Sequence, residues 1–430
     1  MKIRRIVTVL LAAIIAMPAF SQDPKALLDA TPERLAGVHH RYEAPAAIMD
    51  TKAPSGYKPF YISHYGRHGS RYMTSTTNMD KVLAVLDPIA EAGLLTDEGK
   101  AMYGDFKALR EAHEGMAGYL TQKGAAEHQG IAHRLIKRVP AVFKQKDRRE
   151  IVAASSTIQR CIQSMAAFTG QIRSERPDLD IKLFSGDRYM GYILHESAKK
   201  KDAALHKHII DSTLSARFSP DRAVNAWFTD PKAAEAYFGS YDAAHLCDDI
   251  FYEAGITQCL DEDLQSVLTY FTEDELFNLW YVDNMKQFNN EGFTFENGSN
   301  RLETASYILA DVIKKADAAI TGNGRAADLR FGHDSGLLPL LSLMGVEGFE
   351  LCSMRTASDP DGMYIFDKMP MCSSIQVIFY RNKKGDVLVK FVRNEMETKI
   401  TDLTPVSGPY YRWTDVRDYF EGRLMPGITD

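Results

Sequence analysis

Three times along the chain a short apolar run ends in small or charged polar residues, and a helical pattern follows. KPFYISHY at 58–65 leads into Gly66, Arg67, His68, Gly69, Ser70 and Arg71; EIVAAS at 150–155 leads into Ser156, Thr157 and Arg160; ADLRFGH at 327–333 leads into Asp334 and a Leu-rich stretch. Runs of this length bounded by turn residues read as short buried strands. Between the first two lie three expected helices, about 77–92, 97–115 and 122–139, with Val82, Leu83, Val85, Leu86 and Ile89 at helical spacing. The alternation is that of an α/β domain.

Beyond residue 176 the strand signals stop. A polar and aromatic region follows, with helix-like segments such as DELFNLWYVDNMKQF (274–288), and strand signals return at ADLRFGH, SSIQVIFYR and DVLVKFVRN. The expected organisation is a discontinuous α/β core over 22–175 and 301–430, interrupted by a mainly helical insertion over 176–300. At 430 residues, 45% hydrophobic and 25% charged, the chain is long enough for this arrangement and ordinary for a globular protein.

The first residues set Lys2, Arg4 and Arg5 ahead of an apolar run from Ile6 to Ile15, then Ala19 and Ser21. That pattern reads as a secretory signal peptide, 1–21, cleaved after Ser21, and predicts a periplasmic or secreted protein without stable membrane insertion. Loss of those three cations takes the formal net charge from -6 to -9, which disfavours a nucleic-acid partner. Five cysteines, Cys161, Cys247, Cys259, Cys352 and Cys372, show no CxxC spacing, which argues against a zinc ribbon. In an oxidising compartment, proximity in sequence suggests pairing Cys247 with Cys259 and Cys352 with Cys372. No metal and no cofactor is expected. His195, His206 and His208 lack companion ligands at metal spacing, and the sequence does not fix the oligomeric state.

The charged residues after the strands carry the chemistry. Arg67 and Arg71 flank His68 and Gly69; guanidinium groups are permanent, planar donors suited to phosphate or carboxylate, and a glycine lets the backbone come close. Arg160 opens a helix behind Ser155, Ser156 and Thr157, which are available as caps and anion donors. His333 and Asp334 again follow a strand. Ligands in α/β folds bind at the carboxyl ends of strands, so three strand ends could converge on one pocket. Taken singly, each residue also fits a structural role: a solvated loop, a capping arginine, a core histidine, an N-cap aspartate. His64 fits either a wall or the core.

Taken together, RHGSR at 67–71, the SSTIQRC segment around Arg160 and HD at 333–334 resemble the histidine acid phosphatases, the phytase-containing branch of the histidine phosphatase superfamily. LTQKGAAEHQGIAHRL (120–135), VKFVRNEMET and PYYRWTDVRDYF extend the likeness, which is greatest to bacterial proteins similar to multiple inositol polyphosphate phosphatases. It departs from the usual pattern at Met73, where proline is frequent, and at His333-Asp334-Ser335, where those proteins commonly have His-Ala-Glu.

The resemblance implies a phosphoglycerate-mutase-like core, with a central mixed, mostly parallel sheet flanked by helices. It also implies His68 as nucleophile, Arg67, Arg71, Arg160 and His333 as phosphate ligands, and Asp334 as proton donor. Phosphoryl transfer needs positioning and charge neutralisation, which three guanidinium groups can supply without a metal. The expected partners are small phosphate esters, inositol polyphosphates foremost, with Arg188, Lys199, Lys200 and Lys201 as a candidate cationic rim, and His206, Lys207 and His208 as further candidates. An acid pH optimum is expected, from an Asp334 kept protonated beside phosphate oxygens. A broad-specificity acid phosphatase, a sugar phosphatase and a non-catalytic phosphate binder are the alternatives. A mutase is disfavoured by Asp334 and the leader.

Overall fold

The computed structural model describes residue 25 and residues 32–194, 203–292, 298–322, 325–349 and 369–428. The expected signal peptide, His195, Lys199, Lys200, Lys201 and Cys352 lie outside them.

One mixed sheet organises the chain. Its strands are β1 (Lys58–Arg67), β2 (Glu150–Ser155), β3 (Asp180–Ser185), β4 (Arg325–Gly332), β5 (Ser374–Arg381), β6 (Val387–Arg393), β7 (Met396–Thr398) and β8 (Tyr411–Arg412). They run in the order β3-β2-β4-β1-β5-β6-β7, with β8 paired to β6. The first four in this order are parallel and the remainder antiparallel. β1 is buried from Phe60 onward because helices cover both its faces, so its polar Ser63 and His64 are buried along with its apolar residues.

Pleating sends alternate β1 residues to opposite layers. Tyr61 and Tyr65 enter a core built with α8 (Gly298–Thr321), α9 (Asp334–Met344) and α10 (Trp413–Glu421). Ile62 enters the opposite core, with α3 (Gln122–Arg138) and α4 (Gln159–Glu175). A third apolar cluster joins α1 (Thr77–Glu91) and α2 (Asp97–Ala112) to helices from between β3 and β4, among them α6 (Ala243–Ala254) and α7 (Glu273–Glu291). α5 (Ala203–Arg217) lies against α7.

Register places the functional strand ends level. Arg67 is opposite Gly332 in the β1–β4 ladder, and Ser155 is opposite Phe331 in the β2–β4 ladder. The three parallel strands therefore deliver Arg67-His68, Ser155-Ser156 and Gly332-His333 to a single sheet edge. Among the described residues no helix is long and apolar enough to cross a membrane.

The cysteine pairing is corrected. Cys247 and Cys259 are separate buried thiols. Cys247 faces the apolar cluster of α6, while Cys259 Sγ donates to the carbonyl of His39. Nearness in sequence did not bring the two sulfurs to bonding distance. Cys372 is likewise a buried thiol.

Candidate active site

The segment after β1 is held by backbone bonds on both sides. Arg67 N donates to Ser373 O at 2.8 Å, His68 N to Gly332 O at 3.0 Å, and Cys372 N to His68 O at 2.9 Å. His68 is thus fixed between the ends of β4 and β5 before its side chain makes any contact. α3 packs so close to this turn that the two facing positions leave no room for a Cβ. A Cβ on Gly69 would lie 2.6 Å from Gly124 O, and one on Gly124 would lie 2.2 Å from Ser70 O. The α3 N-cap Thr121 adds a bond from its hydroxyl to Ser70 O, and it accepts from Gly124 N.

His68 and His333 meet edge to face with ring centroids 5.6 Å apart. His68 Nδ1 lies 3.0 Å from Gly69 O. A carbonyl can only accept, so Nδ1 carries the hydrogen and Nε2 keeps its lone pair. Burial, and then the charges of Arg160, Arg67, Arg71 and His333, drive the His68 pKa well below 6.5. The ring is a neutral base with a free nucleophilic nitrogen.

Around it stand the three guanidinium groups. Arg67 donates to Met369 O at 2.7 Å and pairs with Asp334 at 2.9 Å. Arg71 donates to Tyr72 O at 2.9 Å, and burial beside Arg160 and Arg67 brings its pKa down to about 10. Arg160 donates to His333 Nδ1 at 3.5 Å. The Nε atoms of Arg67, Arg71 and Arg160 are buried without partners, so the cluster holds unspent donors. His333 is neutral, lowered to about 3 by burial and by Arg160, with its Nε2 3.0 Å from Ser156 Oγ. All six residues singled out at the strand ends come together here.

Two expectations change. No hydroxyl of the 155–157 run caps α4, whose N-cap is Ile158 without a side-chain bond. Ser156 is spent on His333, and Ser155 donates to Ser156 O. The groups around Asp334 also work against the protonated carboxyl expected of it beside phosphate. Burial pushes its carboxyl up, but Arg67, His333 and Arg71 outweigh burial and the net shift is downward.

The rim candidates divide. Arg188 is exposed on the short helix Asp187–Met190, and just beyond that helix Ile193 O accepts from the buried Tyr65 Oη at 2.6 Å. His206, Lys207 and His208 lie on α5, where Lys207 pairs with Asp211. His64 belongs to the core. It is buried against Phe168 and Phe331, and burial lowers its pKa to about 3. Among the described residues no group of three or more His, Cys, Asp or Glu is placed to hold a metal ion.

Two contributors are not singled out by the sequence pattern around them. The 3₁₀ segment Pro32–His39 brings His39, edge-on to Tyr252 at 4.7 Å, close enough for burial and then Arg71 and Arg67 to lower its pKa. Glu127, on α3, accepts from Ser70 N at 3.0 Å and from Ser70 Oγ at 2.7 Å. Its helix is legible in the sequence, but an acidic residue among Lys, Gln and Ala reads as solvated.

No family model matches the chain. Among curated proteins it is similar to multiple inositol polyphosphate phosphatase 1 of Gallus gallus, 23% identical over 322 residues that span 69% of this chain and 65% of that one. The human protein of the same name is 23% identical over 356 residues, 74% of this chain and 67% of that one. The chain therefore spans about two thirds of the length of these relatives. Among solved structures, the multiple inositol polyphosphate phosphatase of Bifidobacterium longum, in complexes with inositol hexasulfate and with phosphate, superposes at a TM-score of 0.73 with 18% identity, covering 92% of this chain and 99% of that one. The phytase of D. castellii gives 0.64 at 15% identity, covering 92% and 85%. At such identities the structural likeness establishes the fold.

Proposed function

We propose, for a chain that has the fold and the motif residues of the histidine acid phosphatases, that it is an exported phosphomonoester hydrolase acting on inositol polyphosphates through a phosphohistidine. One observation carries the reading: a neutral His68 with Nε2 unprotonated stands among Arg67, Arg71 and Arg160, with Asp334 on the same cluster. A non-catalytic anion binder would need the arginines alone.

In the proposed first step the Nε2 lone pair attacks phosphorus, a P–N bond forms, the ester P–O bond breaks, and the Asp334 carboxyl gives its proton to the leaving alkoxide. In the second step Asp334, now a carboxylate, takes a proton from water as the water oxygen attacks phosphorus; the P–N bond breaks and its electron pair returns to Nε2. The guanidinium groups and His333 bind the equatorial oxygens and neutralise their charge, so the protein's own cations supply what divalent ions supply in other phosphoryl-transfer sites. Inositol polyphosphates are favoured as substrates by the names of the relatives, and export by the N-terminal pattern.

The test is phosphate release from inositol hexakisphosphate and from an aryl phosphate, in EDTA, by the wild type and by His68→Ala. Release that the substitution abolishes, with the hexakisphosphate preferred, is the expected result. Equal rates on both substrates would indicate a broad-specificity acid phosphatase. A folded protein that binds phosphate esters without release would indicate a binder.

A further inference from the structure

Glu127 makes no contact in the pocket, yet its carboxylate grips the one peptide unit on which the nucleophile leans. The carbonyl of Gly69 and the N–H of Ser70 belong to the same amide, which is planar and trans, so the two groups point to opposite sides. On one side Ser70 N donates to Glu127 Oε2 at 3.0 Å; on the other Gly69 O accepts from His68 Nδ1 at 3.0 Å. We propose that Glu127 is a positioning residue for the nucleophile. Through the Gly69–Ser70 peptide it holds His68 as the Nδ1–H tautomer, presents Nε2 to phosphorus and steadies the positive ring formed when Nε2 is phosphorylated. The inference rests on the reading of His68 as nucleophile.

The carboxylate is itself braced. Oε1 accepts from Ser70 Oγ at 2.7 Å and lies 3.4 Å from Arg41 Nε, and Oε2 accepts from Cys372 Sγ at 3.4 Å. The contact of Gly69 with Gly124, one helical turn before Glu127, fixes the distance between helix and loop. Hydrogen bonds in a buried chain polarise one another, so a carboxylate on the N–H makes the carbonyl a stronger acceptor for Nδ1–H. A carboxylate bonded directly to an imidazole does the same work in hydrolytic triads. Here the substrate is anionic, and a carboxylate at Nδ1 would repel it. A neutral peptide transmits orientation and polarisation while keeping the charge one residue further away.

The experiment compares ring-nitrogen NMR spectra of histidine-labelled wild type and Glu127→Gln, with the His68 signals identified by their absence in His68→Ala, alongside kinetics. Expected are an Nδ1-protonated His68 in the wild type, and in Glu127→Gln a shift of that resonance toward the free-imidazole position, with kcat lowered about 10–100-fold and KM little changed. An Nε2-protonated His68 in the wild type, or a His68 signal unmoved in Glu127→Gln whatever its activity, overturns the proposal. Should Glu127→Gln fail to fold, Ser70→Ala, which removes the brace and keeps the peptide, is expected to move the signal in the same direction by less, and an unmoved signal there counts equally against it. If the wild type releases no phosphate, the reading of the site fails, while the tautomer comparison still decides the relay.

Discussion

Asp334 is placed under two opposing demands. Its pairing with Arg67 at 2.9 Å and the neighbouring His333 and Arg71 hold the carboxyl down, whereas the proposed first step needs it protonated. An incoming phosphate bound as proposed would resolve the conflict by taking Arg67 for itself and adding negative charge beside the carboxyl, both of which would raise its pKa. The sign of the pH dependence follows. Raising the pH removes the Asp334 proton from the enzyme–substrate complex and lowers kcat, while His68, depressed well below 6.5, stays neutral into acid. Activity should therefore be greatest on the acid side of neutrality. Asp334→Asn should lose about 10²–10⁴-fold in kcat on alkyl phosphates, whose leaving group needs the proton. It should lose far less on p-nitrophenyl phosphate, whose leaving group does not. Equal losses on both substrates would mean that Asp334 serves binding rather than proton transfer, and a kcat–pH profile on each substrate makes the comparison.

At the scale of elements, the interface of β1 with α4 carries an acid liability of its own. His64 is buried against Phe168 with both ring nitrogens unpartnered, and burial lowers its pKa from 6.5 to about 3. Between those values the unfolded chain binds a proton that the native state refuses, so stability falls as pH falls through that window, by about 1.4 kcal/mol per pH unit for this one group. His64→Leu should flatten the dependence, and urea midpoints at pH 7 and pH 5 should lie closer together than in the wild type; an unchanged spacing would place the acid sensitivity elsewhere. His64 also shows what the sequence reveals about elements. The expected helices 77–92, 97–115 and 122–139 appear as Thr77–Glu91, Asp97–Ala112 and Gln122–Arg138, because apolar periodicity reports which face is buried. The strand ends were legible for a related reason: each strand carries a short run rich in apolar residues that closes in glycine, serine or charged residues, so Arg67, Ser156 and His333 fall where the run stops. The 3₁₀ segment carrying His39 has no such period, and the Glu127 contact depends on Gly69 and Gly124 touching across 55 residues of chain, a pairing that local pattern does not encode. Alternation could not tell whether His64 faces wall or core, because both faces of β1 are buried.

For the whole molecule the electrostatic problem is one of sign. The chain has a formal net charge of -6, and its proposed substrate is a polyanion, so at long range the two repel. On the proposed reading, association is governed by the local field of Arg67, Arg71 and Arg160, with the exposed Arg188 as the candidate for steering from outside them. Salt separates the two ranges, since at about 0.15 M the screening length is about 8 Å. The net charge spread over the surface is then largely screened, while groups at the mouth still act. If the mouth dominates encounter, kcat/KM for inositol hexakisphosphate should fall as salt rises from about 0.05 to 0.5 M, and fall more steeply than for an aryl monophosphate, which carries less charge to steer. Arg188→Ala should reduce that difference in slope while leaving the aryl phosphate rate nearly unchanged, because Arg188 lies on the exposed helix and outside the guanidinium cluster. A kcat/KM for the hexakisphosphate that rises with salt would mean that overall repulsion controls approach. The preference for inositol polyphosphates would then have to come from contacts made after binding, and the smaller sugar phosphates would become the better candidates.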